Sequence, residues 1–286
     1  MKPAEFDYAA PATLAEAIGL LSETPDSKLL AGGQSLLPLL NFRLAAPSLL
    51  VDLARVPGLD AIERANGTVR IGAMVRQRRA EESEELAEAV PLLREALRHV
   101  AHPQIRSRGT VGGSVAHADP AAELPALLLA LDGRVRASGR EGERTVAAAD
   151  LFATFFTTTL GPDEVVTAVE LPVARPPTGA ACVELARRTG DYALCGAMAQ
   201  VTLEEGAAAD VRVALFGVGP RPERASATEE LLRGEHPEPE RFAAAAEHAA
   251  EGLSPASDAQ ATASYRRHLA RVLTRRALAL ALERAS

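Results

Sequence analysis

The sequence predicts an α+β protein of two domains, and three observations carry that expectation. Strand-like and helix-like stretches follow one another irregularly through residue 174. The run Arg175-Pro176-Pro177-Thr178-Gly179 then breaks the chain with paired prolines and a glycine. Beyond it, three strand patterns come in succession and the remainder reads as helix. A length of 286 residues is about two average domains. The expected division is therefore a domain over 1–174, with lobes of about 1–57 and 58–174, and a second over 178–286.

In the first lobe, Phe6 to Thr13 is a short extended piece, and Thr13-Leu14-Ala15-Glu16 carries a Ser/Thr-x-x-Glu capping box. Leu14, Ile18 and Leu21 give the helix that follows its apolar stripe. Lys28 to Ala31 reads as a strand broken by Gly32-Gly33, Ser35 to Leu44 as a short helix, and Leu49 to Leu53 as a second strand. In the second lobe, Thr68 to Ala73 alternates after the Asn66-Gly67 turn, and Arg78 to Val100 is helical with a restart at Pro91. An apolar helix lies around Leu124 to Leu131, a hairpin pairs Arg134–Ala137 with Glu143–Val146, and Glu164 to Leu171 is a strand. The second domain offers strands at Ala181–Leu185, Ala197–Leu203 and Val211–Val218. Helices follow at Ser226–Leu232, Pro239–Glu251 and Ser264–Glu283, the last with Tyr265, Leu269, Val272, Leu273 and Arg276 at helical spacing.

Composition narrows the function. Hydrophobic residues make up 47% while aromatics are 3% and Trp is absent, so the core must be built from Ala, Leu and Val. The net charge of -7 argues against a nucleic-acid partner, whose phosphates need a basic face. Met1 to Phe6 lacks a signal-peptide pattern and no apolar run reaches the roughly 18 residues of a membrane span, so a cytoplasmic protein is expected. Cys182 and Cys195 form no metal-binding pair, and two thiolates are too few for an iron–sulfur cluster. His99, His102 and His117 lack metal-ligand spacing. Ser114 lacks a G-x-S-x-G elbow, so neither a metal nor a catalytic residue is expected.

Two Gly-Gly segments carry the chemistry. Ala31-Gly32-Gly33-Gln34-Ser35 follows a strand and precedes a helix, where consecutive free N–H groups and a helix dipole suit a phosphate. Thr110-Val111-Gly112-Gly113-Ser114 repeats the design after Arg106-Ser107-Arg108. Neither is a P-loop or a Rossmann G-x-G-x-x-G, so another kind of dinucleotide site is in view, or simply two tight turns.

Leu30 to Pro38, His102 to Pro120 (His-Pro-Gln-Ile-Arg-Ser-Arg-Gly-Thr-Val-Gly-Gly-Ser-Val-Ala-His-Ala-Asp-Pro) and Arg188-Thr189-Gly190-Asp191-Tyr192-Ala193 together resemble the flavoprotein, or medium, subunit of aerobic carbon monoxide dehydrogenase and xanthine dehydrogenase, the molybdenum hydroxylases. The resemblance runs along essentially the whole chain. It implies a two-lobed FAD-binding domain of the vanillyl-alcohol oxidase/PCMH type, then a C-terminal domain with a three-stranded antiparallel sheet and a helix bundle. Leu29, Leu30, Ala31, Gly32, Gly33, Gln34, Ser35 and Leu36 would wrap the FAD pyrophosphate. Thr110, Val111, Gly112, Gly113 and Ser114 would form its second wall. Asp119 would support the cofactor and Glu123 would stand where relatives carry an Asp that contacts it. Leu160 or Val166 would pack near the isoalloxazine, with Tyr192 beside it.

The resemblance further implies that molybdopterin and [2Fe-2S] clusters lie on partners, a large and a small subunit, in a dimer of heterotrimers. Electrons would cross the clusters to FAD here and leave to an external acceptor. One departure concerns Glu184, at a position where relatives often carry Lys; Arg187 or Arg188 would have to supply the cation, or the flavin is tuned differently. The alternatives are a stand-alone FAD-dependent oxidoreductase and a non-redox nucleotide-binding protein.

Overall fold

The computed structural model describes residues 2–285. The first lobe is a three-stranded parallel sheet in the order Asp7–Ala9, Leu49–Asp52, Ser27–Leu30. The Leu14–Glu23 helix starts from the expected box: the Thr13 hydroxyl accepts from the Glu16 amide at 3.2 Å, and the Glu16 carboxylate accepts from the Thr13 amide at 3.3 Å. Ala17, Leu21, Leu49 and Val51 form its core.

The second lobe is a five-stranded antiparallel sheet in the order Ile62–Ala65, Thr68–Gly72, Val165–Pro172, Arg134–Gly139, Gly142–Ala147. Met74 and Val165 reach from this lobe into the core of the first and so join the two lobes. The stretch expected as a helix with one restart is three short helices, Gln77–Glu82, Glu84–Ala89 and Pro91–His99. Ser83 adds the unexpected break, because its hydroxyl caps the second helix by accepting from the Leu86 amide at 3.2 Å. The Leu36–Asn41 helix is also shorter than expected; Arg43 takes a left-handed conformation (φ 58°) that ends it. The Ile62–Ala65 strand and the Phe152–Thr154/Thr157–Thr158 hairpin are too short to show as patterns in the sequence.

The C-terminal sheet has the three long antiparallel strands expected, Thr178–Leu185, Cys195–Glu204 and Ala207–Phe216, plus a two-residue edge strand, Glu223–Arg224. Both of its faces are covered. Cys182, Met198, Ala214 and Phe216 pack into the core of the second lobe, whereas Ala181, Ala197, Ala199 and Val213 pack under the C-terminal helices. Double burial explains why these strands read as continuous apolar runs.

Small residues take the place of the missing large aromatics. A Cβ on Gly196 would lie 2.0 Å from the Phe216 ring, and one on Gly179 would lie 1.9 Å from the Ala281 carbonyl of the Ala263–Ala285 helix. That helix buries Leu269, Ala270, Leu273 and Ala277; Tyr265 and Arg276 of the expected stripe are exposed, and Val272 is half-buried. The expected Pro239–Glu251 helix is Pro239–Ala246 followed by a 3-10 turn, Glu247–Ala250. No described helix is long and apolar enough to cross a membrane.

Candidate functional site

The first glycine segment follows the Ser27–Leu30 strand of the first lobe and lies against Arg108, Gly109 and Gly113 of the second, and Leu29 to Leu36 are all half-buried. Gly33 adopts φ +73°, a backbone state that costs an L-residue about 1–2 kcal/mol, and this turns the chain into the short helix. The amides of Gly32, Gly33, Gln34 and Ser35 donate to no described backbone or side-chain acceptor. The Gln34 side chain reaches back to the Gly32 carbonyl at 3.1 Å, and the Ser35 hydroxyl makes no capping bond. Four half-buried donors left without acceptors at one turn are suited to an anion. The helix dipole adds little, because Leu36–Asn41 is only six residues long.

The second segment differs from the first, contrary to the expectation of matched loops. It is the opening of a helix, Val111–His117, with Thr110 as N-cap. Its amides from Val111 to Ser114 are all committed. Val111 donates to the Val75 carbonyl and Gly112 to the Ala73 carbonyl, each at 3.0 Å. Gly113 donates to the Thr110 hydroxyl at 3.0 Å and Ser114 to the Thr110 carbonyl at 3.1 Å. The glycines are needed for close packing rather than for ligand approach. A Cβ on Gly112 would lie 2.4 Å from the Ala73 Cβ and 2.6 Å from its Cα. One on Gly113 would lie 2.6 Å from the Thr110 hydroxyl and 3.3 Å from the Ala31 Cβ, so the two segments touch there. Gly32 plays the same part in the first segment, since its Cβ would lie 2.5 Å from the Arg108 carbonyl and 2.7 Å from the Gly109 Cα. The first segment thus presents donors and the second holds it in place.

The residues that brace this contact carry no motif. The Gln77 amide donates to the Gly109 carbonyl at 2.9 Å, and Arg76 donates to the Arg108 carbonyl. The Gln77 Oε1 atom is buried without a partner against Gly109. Only the glycine at 109, with no side chain to meet that oxygen, hints at the arrangement in the sequence.

Beyond the second segment, Ala118 turns left-handed (φ 52°) and Asp119 is buried, accepting from the Ala121 amide at 2.9 Å. Burial raises the Asp119 carboxyl. Glu123 opens the Glu123–Ala130 helix, and burial, with the charge of Glu184 adding to it, pushes its carboxyl up to about 8. Tyr192 is 64% exposed; desolvation first, and then the carboxylates of Asp119 and Glu123, push the phenol pKa up. Asp119, Glu123 and Tyr192 therefore share one electrostatic neighbourhood, with Tyr192 contributed by the other domain. A left-handed Gly190 (φ 87°) carries its segment over His102, where a Cβ would lie 2.4 Å from the imidazole.

Two expected residues lie elsewhere. Side chains alternate along a strand, so Val165 facing the first-lobe core leaves Val166 facing the other way, into the main core, where it is 6% exposed. Leu160 packs against that same core. Glu184 does not line the open cleft either; its side chain is 8% exposed and turns toward His99 at 3.5 Å, while Arg187 and Arg188 are exposed. The three histidines go to three places: His99 to Glu184 and the Cys182 carbonyl (3.2 Å), His102 under Gly190, and His117 against Phe156 with ring centroids 5.1 Å apart.

Comparison with known proteins agrees with this geometry. The family described as FAD binding domain in molybdopterin dehydrogenase matches residues 4–174, and that described as CO dehydrogenase flavoprotein C-terminal domain matches 180–281. The chain is 43% identical to the 6-hydroxypseudooxynicotine dehydrogenase complex subunit alpha of Paenarthrobacter nicotinovorans, covering 100% of this chain and 97% of that one. It is 37% identical to the carbon monoxide dehydrogenase medium chain of Hydrogenophaga pseudoflava, covering 97% of each. A solved carbon monoxide dehydrogenase from Hydrogenophaga pseudoflava, lacking the Mo-pyranopterin moiety of its cofactor, superposes with a TM-score of 0.97 at 38% identity over 100% of both chains. With both family regions present in order and an unpartnered donor turn where the lobes meet, the chain belongs to the FAD-binding medium subunits of the molybdopterin dehydrogenases, oxidoreductases of the carbon monoxide and xanthine dehydrogenase type.

Proposed function

We propose that this chain receives electrons from [2Fe-2S] clusters on a small partner subunit and passes them through its FAD to an external acceptor. A large partner subunit would oxidise the substrate at a molybdopterin centre. The assembly we favour is a dimer of heterotrimers in the cytoplasm, with the FAD-binding domain over 1–174 and the C-terminal domain over 178–286. The observation that carries the reading is the turn of four unpartnered amides at Gly32–Ser35, held by Gly112 and Gly113 of the second segment. Relatives that are named as subunits of complexes support the partners.

In this reading Leu29 to Leu36 bind the FAD pyrophosphate, through the amides of Gly32 to Ser35 and the Ser35 hydroxyl. Thr110 to Ser114 position that turn, with the Ser114 hydroxyl as a further donor. Asp119, Glu123 and Tyr192 lie toward the flavin. FAD supplies the capacity to take electrons singly or in pairs. The protein's part is to bind and orient it and to set the charge around it. No nucleophile–base pair is needed for that task.

The purified chain is expected to carry flavin absorbance at close to one FAD per chain, and to co-purify with iron–sulfur and molybdenum-containing chains when expressed with its partners. A colourless protein that cannot be reconstituted with FAD would overturn the reading. Full FAD without partners would favour a stand-alone oxidoreductase instead.

A further inference from the structure

The seam between the two domains runs along an edge strand. Thr178–Leu185 is the outermost strand of the C-terminal sheet, so its outward carbonyls need donors from elsewhere. The Ala180 carbonyl accepts from Arg284, and the Cys182 carbonyl lies 3.2 Å from the His99 Nε2 atom of the Pro91–His99 helix. Side chains two apart on a strand share a face. Ala180 and Cys182 pack into the core of the FAD-binding domain, and the next residue on that face is Glu184. Its Oε1 atom lies 3.5 Å from the His99 Nδ1, its side chain is 8% exposed, and its Oε2 atom has no hydrogen-bond partner. Among the described residues, His99 is the one cation paired with it.

A carbonyl and a carboxylate both accept, so an imidazole set between them is satisfied only with hydrogen on both nitrogens. A neutral ring turns a lone pair toward one of the two. In keeping with this, the Glu184 carboxylate is the leading cause that holds the His99 pKa above its ordinary 6.5, against the burial that lowers it. The other groups around the helix do not replace the pairing. Burial pushes the Cys182 thiol well up, and Glu123, on the Glu123–Ala130 helix, reaches His99 through its charge. On the Gln77–Glu82 and Glu84–Ala89 helices, packed against the same helix, Glu81 pairs with Arg106, Glu82 with Arg78 and Glu84 with Arg94. Glu85 and Glu88 are exposed, and Cys195 on the neighbouring strand packs on the opposite face of the sheet. Glu95, on the helix of His99 itself, pairs with Arg98 and Arg284.

What the pair holds is the loop that follows. The Leu194 amide donates to the Leu185 carbonyl at 2.8 Å and closes the base of residues 186–193 beside Glu184. Within the loop the Asp191 amide donates to the Arg188 carbonyl at 3.1 Å, and among the described residues none of its side chains makes a hydrogen bond or ion pair. So few bonds leave it among the parts of the chain that open most readily. Its tip rests on His102 through Gly190. The loop is thus fixed to the FAD-binding domain at its base by His99 and at its tip by His102. We infer that His99 and Glu184 are a proton-operated latch between the domains, closed when both ring nitrogens carry hydrogen, that positions the 186–193 loop. The latch is fully closed below pH 6.5 and opens as pH rises through the higher His99 midpoint of the folded chain. Its consequence for the cofactor rests on the FAD reading, in which this loop sets Tyr192 toward the flavin: FAD is held more tightly below that midpoint than above it.

Proton NMR of the histidine rings in the full chain, with hydrogen-exchange protection factors of residues 186–193 over the same pH range, tests this. The His99 resonance, identified by its loss in His99→Gln, should titrate above 6.5 in the parent and at lower pH in Glu184→Gln. Protection of the loop should fall several-fold as pH rises through the parent midpoint. In Glu184→Gln it should stay high throughout, because a glutamine amide donates to the neutral Nδ1 that a carboxylate repels. Glu184→Leu offers the ring neither group, and its loop should be poorly protected at every pH. A purely structural contact would give the parent no such pH dependence. A His99 midpoint that Glu184→Gln leaves unmoved, or parent protection that is flat across the midpoint, overturns the latch. FAD affinity should follow the protection, several-fold weaker above the midpoint in the parent and level in Glu184→Gln. Level affinity in a parent whose loop loosens overturns the link to the cofactor while the latch stands. A chain that shows the latch but binds no FAD at any pH refutes the FAD reading alone.

Discussion

Gly112→Val will strip the chain of FAD and lower its stability by several kcal/mol. Gly112 donates to the Ala73 carbonyl, and a Cβ there would lie 2.6 Å from the Ala73 Cα and 2.9 Å from its carbonyl oxygen. Those are backbone atoms of the segment that follows the Thr68–Gly72 strand, and they cannot step aside as a flexible side chain could. Overpacking a core position costs ~1–3 kcal/mol, and forcing two backbones apart costs more. The Val111–His117 helix would move off the Ala31 turn, and the donors at Gly32–Ser35 would lose their support. Gly33→Val should also release FAD, by a different route: its φ of +73° disfavours a β-branched residue and two leucine side chains already lie 3.2–3.3 Å from the added Cβ. The check is flavin absorbance after gel filtration together with the urea midpoint of each variant. The Gly33 variant should lose flavin with the smaller loss of stability, because its neighbours are side chains that can repack. Unchanged FAD binding in both variants would show that these segments are only turns.

Glu123→Gln should make the FAD-free protein more stable than the parent at alkaline pH and should flatten its stability across pH. The sign follows from linkage. Burial raises the folded-state pKa of Glu123 from 4.5 to about 8, so the folded chain binds this proton more tightly than the unfolded chain does. The parent therefore has its full stability from this group below about pH 4.5, and loses it as pH rises through about 8. At roughly 1.4 kcal/mol per unit, the loss has an upper bound of about 5 kcal/mol. Glutamine keeps the shape and carries no charge, so the variant escapes that loss. Thermal unfolding of both proteins from pH 5 to pH 9 is the measurement. The two curves should separate progressively above neutrality, and parallel curves would mean that Glu123 ionises freely in the folded chain.

Both predictions rest on contacts that the sequence reveals to different degrees. The glycine pairs at 32–33 and 112–113 are visible in the sequence, and so is their pairing as one site. Their division of labour is not visible. Two segments of like composition, hydroxyl or Ala before and Ser after, differ in what the rest of the chain offers their amides. Gly112 and Val111 find the Ala73 and Val75 carbonyls from a segment 39 and 36 residues earlier, while Gly32 to Ser35 find none. Likewise, Glu184 reads in sequence as a replacement for a cation beside the flavin. The strand places its side chain toward His99 instead, in the seam.

By itself the sequence determined the order of the longer strands and helices, the Thr13 cap and the positions of the two glycine pairs. It also set the class of core, because Ala, Val and Leu must pack where no Trp is present. These are properties of neighbouring residues: periodicity, capping and turn chemistry act over a few positions. Only the tertiary structure decided that the C-terminal sheet is buried on both faces, that Val166 packs into the main core, and that Glu184 turns toward His99. It also decided which glycine pair keeps free donors. These features depend on residues brought together from distant parts of the chain. A buried carboxyl or an unpartnered amide is defined by what surrounds it, and the surroundings exist only once the lobes and the C-terminal sheet have closed on one another.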